Sequence, residues 1–486
     1  MKATNHGPAD NRGTIGRRLP GAASGLRATV LAVLAAAGML LSVAAAQGNA
    51  ISSEATFPNG IKGQVSMAPA KGFVGSQAVL SGTGFDPGAS LDVVWVGYNG
   101  QWKLEMKNGE YTGNFLGREF ETRNVPISTV TVGSDGSFSL PFTVPEGFGG
   151  THDVYVMENG ANVNKAGYDV EMKTTMSPMS GPVGTNITIT LTGVDDISNI
   201  AGWYAVTYDN GITGFVTAVT THGTAKVVIP AAGRVGKHLI ELFNAPFDAP
   251  YLALSTSPYK MLPQPQFMFT VTDGPPVLPA PIAQQAPKPT PAVITAAAGP
   301  KLWVDPMAAV PGTPAQIHGT GLPARAFSLP FTMPDQHGGG HQLLAKVGDK
   351  VIATTDFTID SEGLPLEPAR GPVGTHFTLH LKGIGWTQTT NIFAVVIDNV
   401  YLGYGCGFST DGDVQIPITA SWAPGWHFID IYPSFYRNKD YEGADQQPFL
   451  YRQAILTWQD HPHQIHFRYA FYVTGEGTVA STEPVN

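Results

Sequence analysis

The chain has 486 residues, of which 13% are charged, and its formal net charge is −9. This length allows three or four ordinary domains. The charge is spread without runs, which excludes the basic face expected of a nucleic-acid-binding protein. The 57 glycines and 39 prolines favour turn-rich β structure, and a single cysteine, Cys406, excludes a disulfide within this sequence.

The first 46 residues have the pattern of an export signal. Four arginines precede an apolar stretch from Ala28 to about Ala46, which ends in the small residues that a signal peptidase requires. An uncleaved anchor is the alternative, because the stretch is just long enough to span a bilayer. The sequence therefore predicts an exported, extracellular or cell-surface protein whose only membrane contact would be this segment, if it is uncleaved.

One strand-entry signature occurs four times. Its clearest copies are PMSGPVGTNITITLTG at residues 178–193 and PARGPVGTHFTLHLKG at residues 368–383, and weaker copies begin at Pro69 and Pro306. Pro and Gly predict a turn, and the residues that follow alternate between apolar and polar at the period of a strand with one buried face. The repetition predicts four related β-modules.

The modules follow the order A-B-linker-A′-B′. The linker carries eight prolines, which is typical of an extended spacer. The third module repeats the opening and the FSLPFT stretch of the first but lacks the part between them, which includes Trp95. We predict a signal peptide at residues 1–46, module 1 at 64–173, module 2 at 174–273, a Pro/Ala-rich linker at 274–300, a truncated module 3 at 301–360 and module 4 at 361–475.

The entry motif Pro-x-x-Gly-Pro-x-Gly-Thr, with its alternating strand and a following Gly-x-Gly-Phe, resembles immunoglobulin-like modules of the IPT/TIG kind. The resemblance covers all four module starts and implies antiparallel β-sandwiches, which serve as spacers and binding units in bacterial surface and exported proteins. Module 3 departs from the pattern through its missing part, and module 4 through a long insertion. The predicted fold class is all-β, with tandem immunoglobulin-like β-sandwich modules and a truncated third module.

Each module carries a histidine two places after a glycine. Because the position recurs in all four, we expect the imidazole to bond a neighbouring loop carbonyl. These residues are His152, His238, His341 and His427. A separate pair, His461 and His463, is a candidate for zinc or copper capture, with an incidental role as the alternative. No cofactor is predicted.

Module 4 and its insertion are rich in aromatic residues interleaved with charged ones. Such residues suit binding of sugar rings or protein partners, and packing inside the module is the alternative. The predicted ligand-binding residues are Trp422, Trp426, Tyr432, Tyr436, Tyr441 and Trp458. A lesser candidate group is Tyr98, Trp102 and Tyr111 in module 1.

The chain lacks the nucleophile elbow, the His-Glu-x-x-His motif, the phosphate loop and the EF-hand loop, so no catalytic residue is predicted. We expect Cys406 to be a small buried thiol. The favoured function is non-enzymatic adhesion, assembly or protein binding at the cell surface. A carbohydrate-binding or accessory protein that uses the aromatics of module 4 is the runner-up, and a hydrolase with a dispersed active site is the third alternative.

The truncation of module 3 has a further consequence. A shortened sandwich leaves strand edges unpaired, and unpaired edges recruit a strand from elsewhere. We therefore predict that module 3 packs on module 4 or on another copy of the chain, which would give self-association. A deletion without a role is the alternative.

Overall fold

The computed structural model describes residues 56–107, 110–194, 204–245, 250, 252, 264–279, 300–322, 326–385, 392–407, 410–434, 454–460 and 466–477. The predicted export segment, most of the predicted linker and most of the module 4 insertion lie outside this part of the chain. The described residues form thirty strands in eight sheets and one short 3-10 helix. No described helix is long and apolar enough to cross a membrane.

Module 1 is a complete sandwich. Its strands are β1 Gln64–Ala68, β2 Lys71–Gly72, β3 Gln77–Thr83, β4 Ser90–Lys107, β5 Glu110–Thr131, β6 Phe138–Thr143, β7 Gly150–Glu158 and β8 Ala161–Val170. A three-stranded sheet of order β1-β3-β6 packs on a five-stranded sheet of order β2-β8-β7-β4-β5. The core between the sheets contains Leu80, Trp95 and Tyr168. Strands β4 and β5 pair as a long antiparallel hairpin.

Module 2 has the same number of described strands in the same arrangement. They are β9 Lys173–Ser177, β10 Ser180–Pro182, β11 Asn186–Thr192, β12 Tyr204–Tyr208, β13 Gly211–Val216, β14 Ala225–Pro230, β15 Gly236–Asn244 and β16 Gln266–Thr272. The two sheets have the orders β14-β11-β9 and β10-β16-β15-β12-β13. Strand β13 is therefore at an edge, and it follows the Asp209-Asn210 turn, where both residues adopt the positive φ of a tight hairpin.

Module 3 is smaller. Its described strands are β17 Lys301–Asp305, β18 Ala308–Ala309, β19 Pro314–Thr320, β20 Phe327–Thr332, β21 Gly339–Val347 and β22 Lys350–Ile359. Two three-stranded sheets have the orders β17-β19-β20 and β18-β22-β21. The module thus lacks, among its described residues, counterparts of the hairpin strands β4 and β5.

Module 4 again has two sheets. Its strands are β23 Glu362–Gly363, β24 Arg370–Gly371, β25 His376–Lys382, β26 Ile392–Ile397, β27 Val400–Cys406, β28 Val414–Thr419, β29 Gly425–Ser434 and β30 Phe467–Val473, and the 3-10 helix is Trp458–Asp460. The sheet orders are β23-β25-β28 and β24-β30-β29-β26-β27. The chain is an all-β protein of tandem immunoglobulin-like β-sandwiches with a truncated third module, as the sequence predicted.

The strand-entry signature has the same physical basis in all four modules. The Ser or Thr at the end of its turn donates a hydroxyl hydrogen bond to the carbonyl three residues earlier. The glycine before that residue adopts a positive φ that side chains disfavour. The four bonds join Ser76 to Phe73, Thr185 to Pro182, Thr313 to Val310 and Thr375 to Pro372, at 2.7, 2.7, 2.8 and 2.7 Å. A short local motif therefore fixes the turn that starts each module.

Modules 2 and 4 bury part of their surfaces against each other. Strand β26 is buried on both faces, because Phe393 and Val395 pack in the core of module 4 while Ala394 and Val396 join the core cluster of module 2. Tyr432 of β29 also belongs to the module 2 cluster. A strand covered on both faces needs a continuous apolar run, which the sequence IFAVVI of β26 supplies.

Module 3 contacts module 4, which is one of the two packing alternatives stated above. The backbone N–H of Gly338 donates to the carbonyl of Ile384 at 3.0 Å, and Asp335 forms an ion pair with Lys382. Both contacts come from the loop before β21. The edge of β21 is not used in them.

Candidate binding surfaces

The four histidines of the Gly-x-His positions share one local bond. In each, Nε2 lies within hydrogen-bonding distance of the carbonyl four residues earlier, at 2.8, 2.7, 2.7 and 2.7 Å for His152, His238, His341 and His427. The expected structural role is confirmed. The described residues contain no group of three or more His, Cys, Asp or Glu side chains that could hold a metal ion.

His427 has a second partner on the other side of its ring. Its Nδ1 lies 2.5 Å from Oδ2 of Asp398, and Oδ1 of the same carboxylate accepts the backbone N–H of Phe428 at 2.9 Å. Burial lowers the pKa of His427, but the hydrogen bond to Asp398, the charge of Asp398 and the hydrogen bond to the Ala423 carbonyl together outweigh burial, so the pKa lies above its ordinary value of 6.5. The histidine and aspartate together hold the start of β29 against the β26–β27 turn.

The predicted aromatic residues that the structure describes do not form one surface. Trp422 is half-buried in the core of module 4, where its ring stacks on His427 at 5.1 Å. Tyr432 is 1% exposed and stacks on His466 at 4.4 Å, so its ring cannot face a ligand. Trp458 is half-buried against the core shared by modules 2 and 4. Tyr436, Tyr441, His461 and His463 lie outside the described residues.

Trp426 belongs to a small aromatic group at the end of the large sheet of module 4. It is paired across strands with Tyr472, with ring centroids 5.0 Å apart and planes tilted by 53°. The guanidinium carbon of Arg370 lies 5.6 Å from the centre of the Tyr472 ring. Trp426 and Tyr472 are half-buried, and Arg370 is exposed. This group has an accessible aromatic surface beside a cation.

A buried charged cluster, which the sequence analysis missed, ties module 4 to module 2. Asp430 is 1% exposed, and its Oδ1 lies 2.6 Å from Nε2 of His466 and 2.5 Å from Nε of Arg468. Arg468 also donates to Oδ1 of Asn186 at 2.8 Å and to the carbonyl of Val228 at 3.1 Å, both in module 2. The available signal was a charged residue within each of two apolar strands, Asp430 in β29 and Arg468 in β30.

Burial acts on both titratable members of this cluster. It would raise the pKa of the Asp430 carboxyl, but the adjacent Arg468 and His466 lower that pKa below its ordinary value. Burial also lowers the pKa of His466, and this effect exceeds the opposing effect of Asp430. Asp430 is therefore held as a carboxylate, and Arg468 is its permanent positive partner.

The β4–β5 hairpin of module 1 contacts modules 2 and 4. Trp102 is 8% exposed and packs with Phe215, Val219 and Ile455, and its indole N–H donates to the backbone carbonyl of Asp460 at 2.8 Å. Trp102 is therefore part of the interface between modules and not an exposed binding residue. The side chain of Tyr111 lies outside the described part of the chain, and Tyr98 is half-buried.

Asp460 fastens the insertion of module 4 to module 2. Its carboxylate accepts hydrogen bonds from the backbone N–H groups of Val219 and Thr220, at 2.9 and 2.6 Å, and from the Thr220 hydroxyl at 2.8 Å. Burial raises the pKa of Asp460 above its ordinary value, although these donors oppose the shift. The insertion thus forms part of the interface between modules 2 and 4.

The edge strand β27 has a different surface. Val400, Leu402 and Tyr404 alternate along it and are 46%, 59% and 47% exposed. No residue of β27 is charged. Natural edge strands usually carry a lysine, a proline or another charge that blocks unwanted pairing. We call these three residues the β27 stripe.

The matching edge in module 2 is covered. Modules 2 and 4 can be aligned on their equivalent turns, Tyr208-Asp-Asn and Ile397-Asp-Asn. This alignment places Phe215 at the position of Tyr404. The N–H of Phe215 donates to the carbonyl of Ala454 at 2.9 Å, and the N–H of Leu456 donates to the carbonyl of Phe215 at 2.9 Å. The insertion of module 4 therefore adds a short parallel segment to β13, and the two edges differ in exposure.

Cys406 ends the β27 strand. The sequence analysis expected a buried thiol, and this prediction is wrong, because Cys406 is exposed. The edge position of β27, which is a tertiary property, leaves the thiol accessible.

Neither the family models nor the curated proteins include a match to the chain. Three of the solved structures that align with it show how distant such similarity is in sequence. Invasin, a bacterial integrin-binding protein, is 10% identical over 85% of this chain and 79% of its own, with a TM-score of 0.20. A putative membrane anchored protein from Corynebacterium diphtheriae is 12% identical over 86% and 93%, with a TM-score of 0.17.

Salmonella alpha-2-macroglobulin reacted with methylamine is 10% identical over 85% of this chain, with a TM-score of 0.19. The chain spans 31% of the length of that protein. Identities and TM-scores of this size carry no argument about function. What the chain can bind has to be argued from its own surfaces.

Proposed function

We propose that the chain is a non-enzymatic exported protein, with modules of the IPT/TIG kind, that binds a protein partner at the cell surface through the β27 stripe. The observation that carries the proposal is the exposure of three apolar side chains on an uncharged edge strand, while the matching edge of module 2 is covered. The resemblance of the four strand-entry motifs to those of surface-protein modules supports the same function.

Apolar contact can stabilise a complex at this edge. Burial of exposed apolar area releases about 25 cal/mol per Å². Tyrosine is enriched at protein interfaces because it combines a large apolar face with a polar group. The β27 stripe carries these properties in one strand.

The test is a binding screen of the purified chain against arrayed cell-surface proteins and glycans. We expect binding to one or more proteins, and Leu402→Lys should weaken that binding at least tenfold. Val235→Lys is the control, since Val235 is a 59% exposed residue of module 2 away from this strand. Protein binding that Leu402→Lys leaves unchanged would contradict the proposal.

Glycan binding is the second candidate, and the group of Trp426, Tyr472 and Arg370 favours it. An accessible aromatic ring beside a cation suits stacking on a sugar ring together with a polar contact. In the same screen, glycan binding that is lost in Trp426→Ala and retained in Leu402→Lys would select this function over protein binding.

The exposed thiol provides a test of location. Cys406 is the single cysteine of the sequence, so a membrane-impermeant maleimide applied to intact producing cells should label the chain at this residue. Cys406→Ser is the control and should remain unlabelled. Labelling that requires cell lysis would contradict export.

A further inference from the structure

The truncated module 3 can be compared with module 1 strand by strand. Strands β6 and β20 have the same sequence, FSLPFT, and pair in the same register with β3 and β19. Phe138 and Phe142 of module 1 are 7% and 6% exposed, whereas Phe327 and Phe331 at the same positions are only half-buried. Identical residues are thus covered in one module and partly uncovered in the other.

Strand β4 provides the missing cover in module 1. It pairs antiparallel with β7, and its residue Trp95 lies opposite Val154, with both side chains at most 1% exposed. Trp95 also contacts Phe142, with ring centroids 6.4 Å apart. Removal of this strand uncovers the edge of the neighbouring strand and one side of the core together.

Strand β21 is the counterpart of β7. It pairs with β22, and no strand that the structure describes lies at its other edge. Leu343 and Ala345 hold the positions of Val154 and Val156, which are fully buried in module 1, yet both are only half-buried. An open edge beside a partly uncovered core is the arrangement that takes up an added strand.

We propose that β21 receives an extended strand of a partner protein, antiparallel, which completes the sandwich as β4 completes module 1. The partner strand carries large apolar residues at alternate positions, as Leu91, Val93 and Trp95 do in β4. This binding surface lies in module 3 and does not depend on the β27 stripe.

Charge adds a second requirement on the partner strand. In module 1, Asp92 of β4 lies opposite Met157 of β7. In module 3 the position of Met157 is occupied by Lys346, which is exposed. A carboxylate at the Asp92 position of an added strand would lie opposite this lysine, and opposite charges on facing strands attract. The partner strand is therefore apolar with one acidic residue on its outer face.

A second copy of the chain is a poorer occupant. Strand β21 carries no acidic residue and no Phe, Tyr or Trp, so pairing of two β21 strands would supply neither the carboxylate nor a ring of the size of Trp95. Strand β4 of another copy has the required sequence, but its Trp95 is held in the core of its own module at 1% exposure. The chemistry of the edge favours a different protein.

The probe is a fluorescein-labelled peptide with the sequence SLDVVWVG of residues 90–97, titrated with the full chain and followed by fluorescence anisotropy. We expect saturable binding. A peptide with Trp95→Ser should bind at least tenfold more weakly, because the large apolar residue is lost. Leu343→Arg in the chain should remove binding, and the control Val235→Arg should keep it.

A charge exchange tests the proposal independently of whether Leu343→Arg folds. Lys346→Glu lies on an exposed side chain, and we expect it to weaken binding of the original peptide by about threefold. A peptide with Asp92→Lys should recover that affinity with the Lys346→Glu chain. Absence of peptide binding, or binding that neither variant changes, would overturn the proposal. A chain that is already dimeric, and becomes monomeric in Leu343→Arg, would also overturn it by showing a second copy at the edge.

Discussion

Replacement of Asp430 by alanine should strongly destabilise the joined modules 2 and 4. The change removes the acceptor of two hydrogen bonds, from His466 at 2.6 Å and from Arg468 at 2.5 Å. The guanidinium of Arg468 would remain in the interface with its side chain 8% exposed and without its negative partner. Most of the lost stability comes from leaving the charge of Arg468 buried without a partner. The lost attraction between the two charges is the smaller contribution.

The magnitude follows from that asymmetry. Removal of one partner of a buried ion pair costs about 3–5 kcal/mol. For a cooperative unit on the order of 200 residues, each kcal/mol lowers the Tm by about 2–4 °C, so we expect a decrease of roughly 10 °C. Replacement of both partners, in Asp430→Leu with Arg468→Met, should recover at least half of the loss because no unpaired charge then remains.

The assay is thermal and urea unfolding of the full chain at neutral pH, followed by circular dichroism. Glu241→Ala is the matched control, since Glu241 holds the position of Asp430 in module 2 and accepts a hydrogen bond from the neutral amide of Gln266 at 2.6 Å. The control should cost about 1 kcal/mol. A loss of less than about 1 kcal/mol for Asp430→Ala, or a double variant less stable than the single one, would refute the reasoning.

Three other outcomes can be measured. Asp460→Ala should destabilise the chain by about 2–3 kcal/mol, because the backbone N–H groups of Val219 and Thr220 lose their acceptor. It should also shift Trp102 fluorescence to longer wavelength as the hairpin loosens, and an unchanged spectrum would contradict this. Trp422→Ala should cost about 3 kcal/mol as a core residue, and Trp426→Ala about 1 kcal/mol or less, which the same unfolding curves would show. The stability that His427 contributes through its raised pKa is fully present below its ordinary pKa of 6.5 and is lost as the pH rises through the raised value. Asp398→Asn should remove that pH dependence, and equal slopes between pH 6 and 9 for the two proteins would refute the assignment.

Local features of this fold could be predicted from the sequence with little error. The turn that starts each module depends on a glycine with positive φ and a hydroxyl bonded three residues back, so all its determinants lie within a few positions. The Gly-x-His bond, which spans four residues, is equally local, and its repetition at His238 and His427 disclosed a structural role. The missing middle of module 3 was visible because two copies of one sequence could be compared.

Exposure of individual side chains could not be predicted in the same way. Tyr432 and Trp102 were read as binding candidates, yet one lies in the core that modules 2 and 4 share and the other lies under the module 4 insertion. Cys406 was read as buried and is exposed. The errors at Tyr432 and Trp102 concern surfaces between modules, where the partner residues are far away along the chain. The error at Cys406 concerns the exposed edge of a sheet.

The amino-acid sequence predicts the architecture of the modules: an all-β chain with alternating strands, one repeated turn and a shortened third copy. These properties follow from backbone stereochemistry and from period-two patterns, which act over a few residues. Packing between the modules determines which faces and edges stay exposed and available for binding. It covered the β13 edge with residues 454–456, left the β27 stripe and the β21 edge accessible, and placed Asp430 and Arg468 in a shared interior, because burial depends on which segments meet in space.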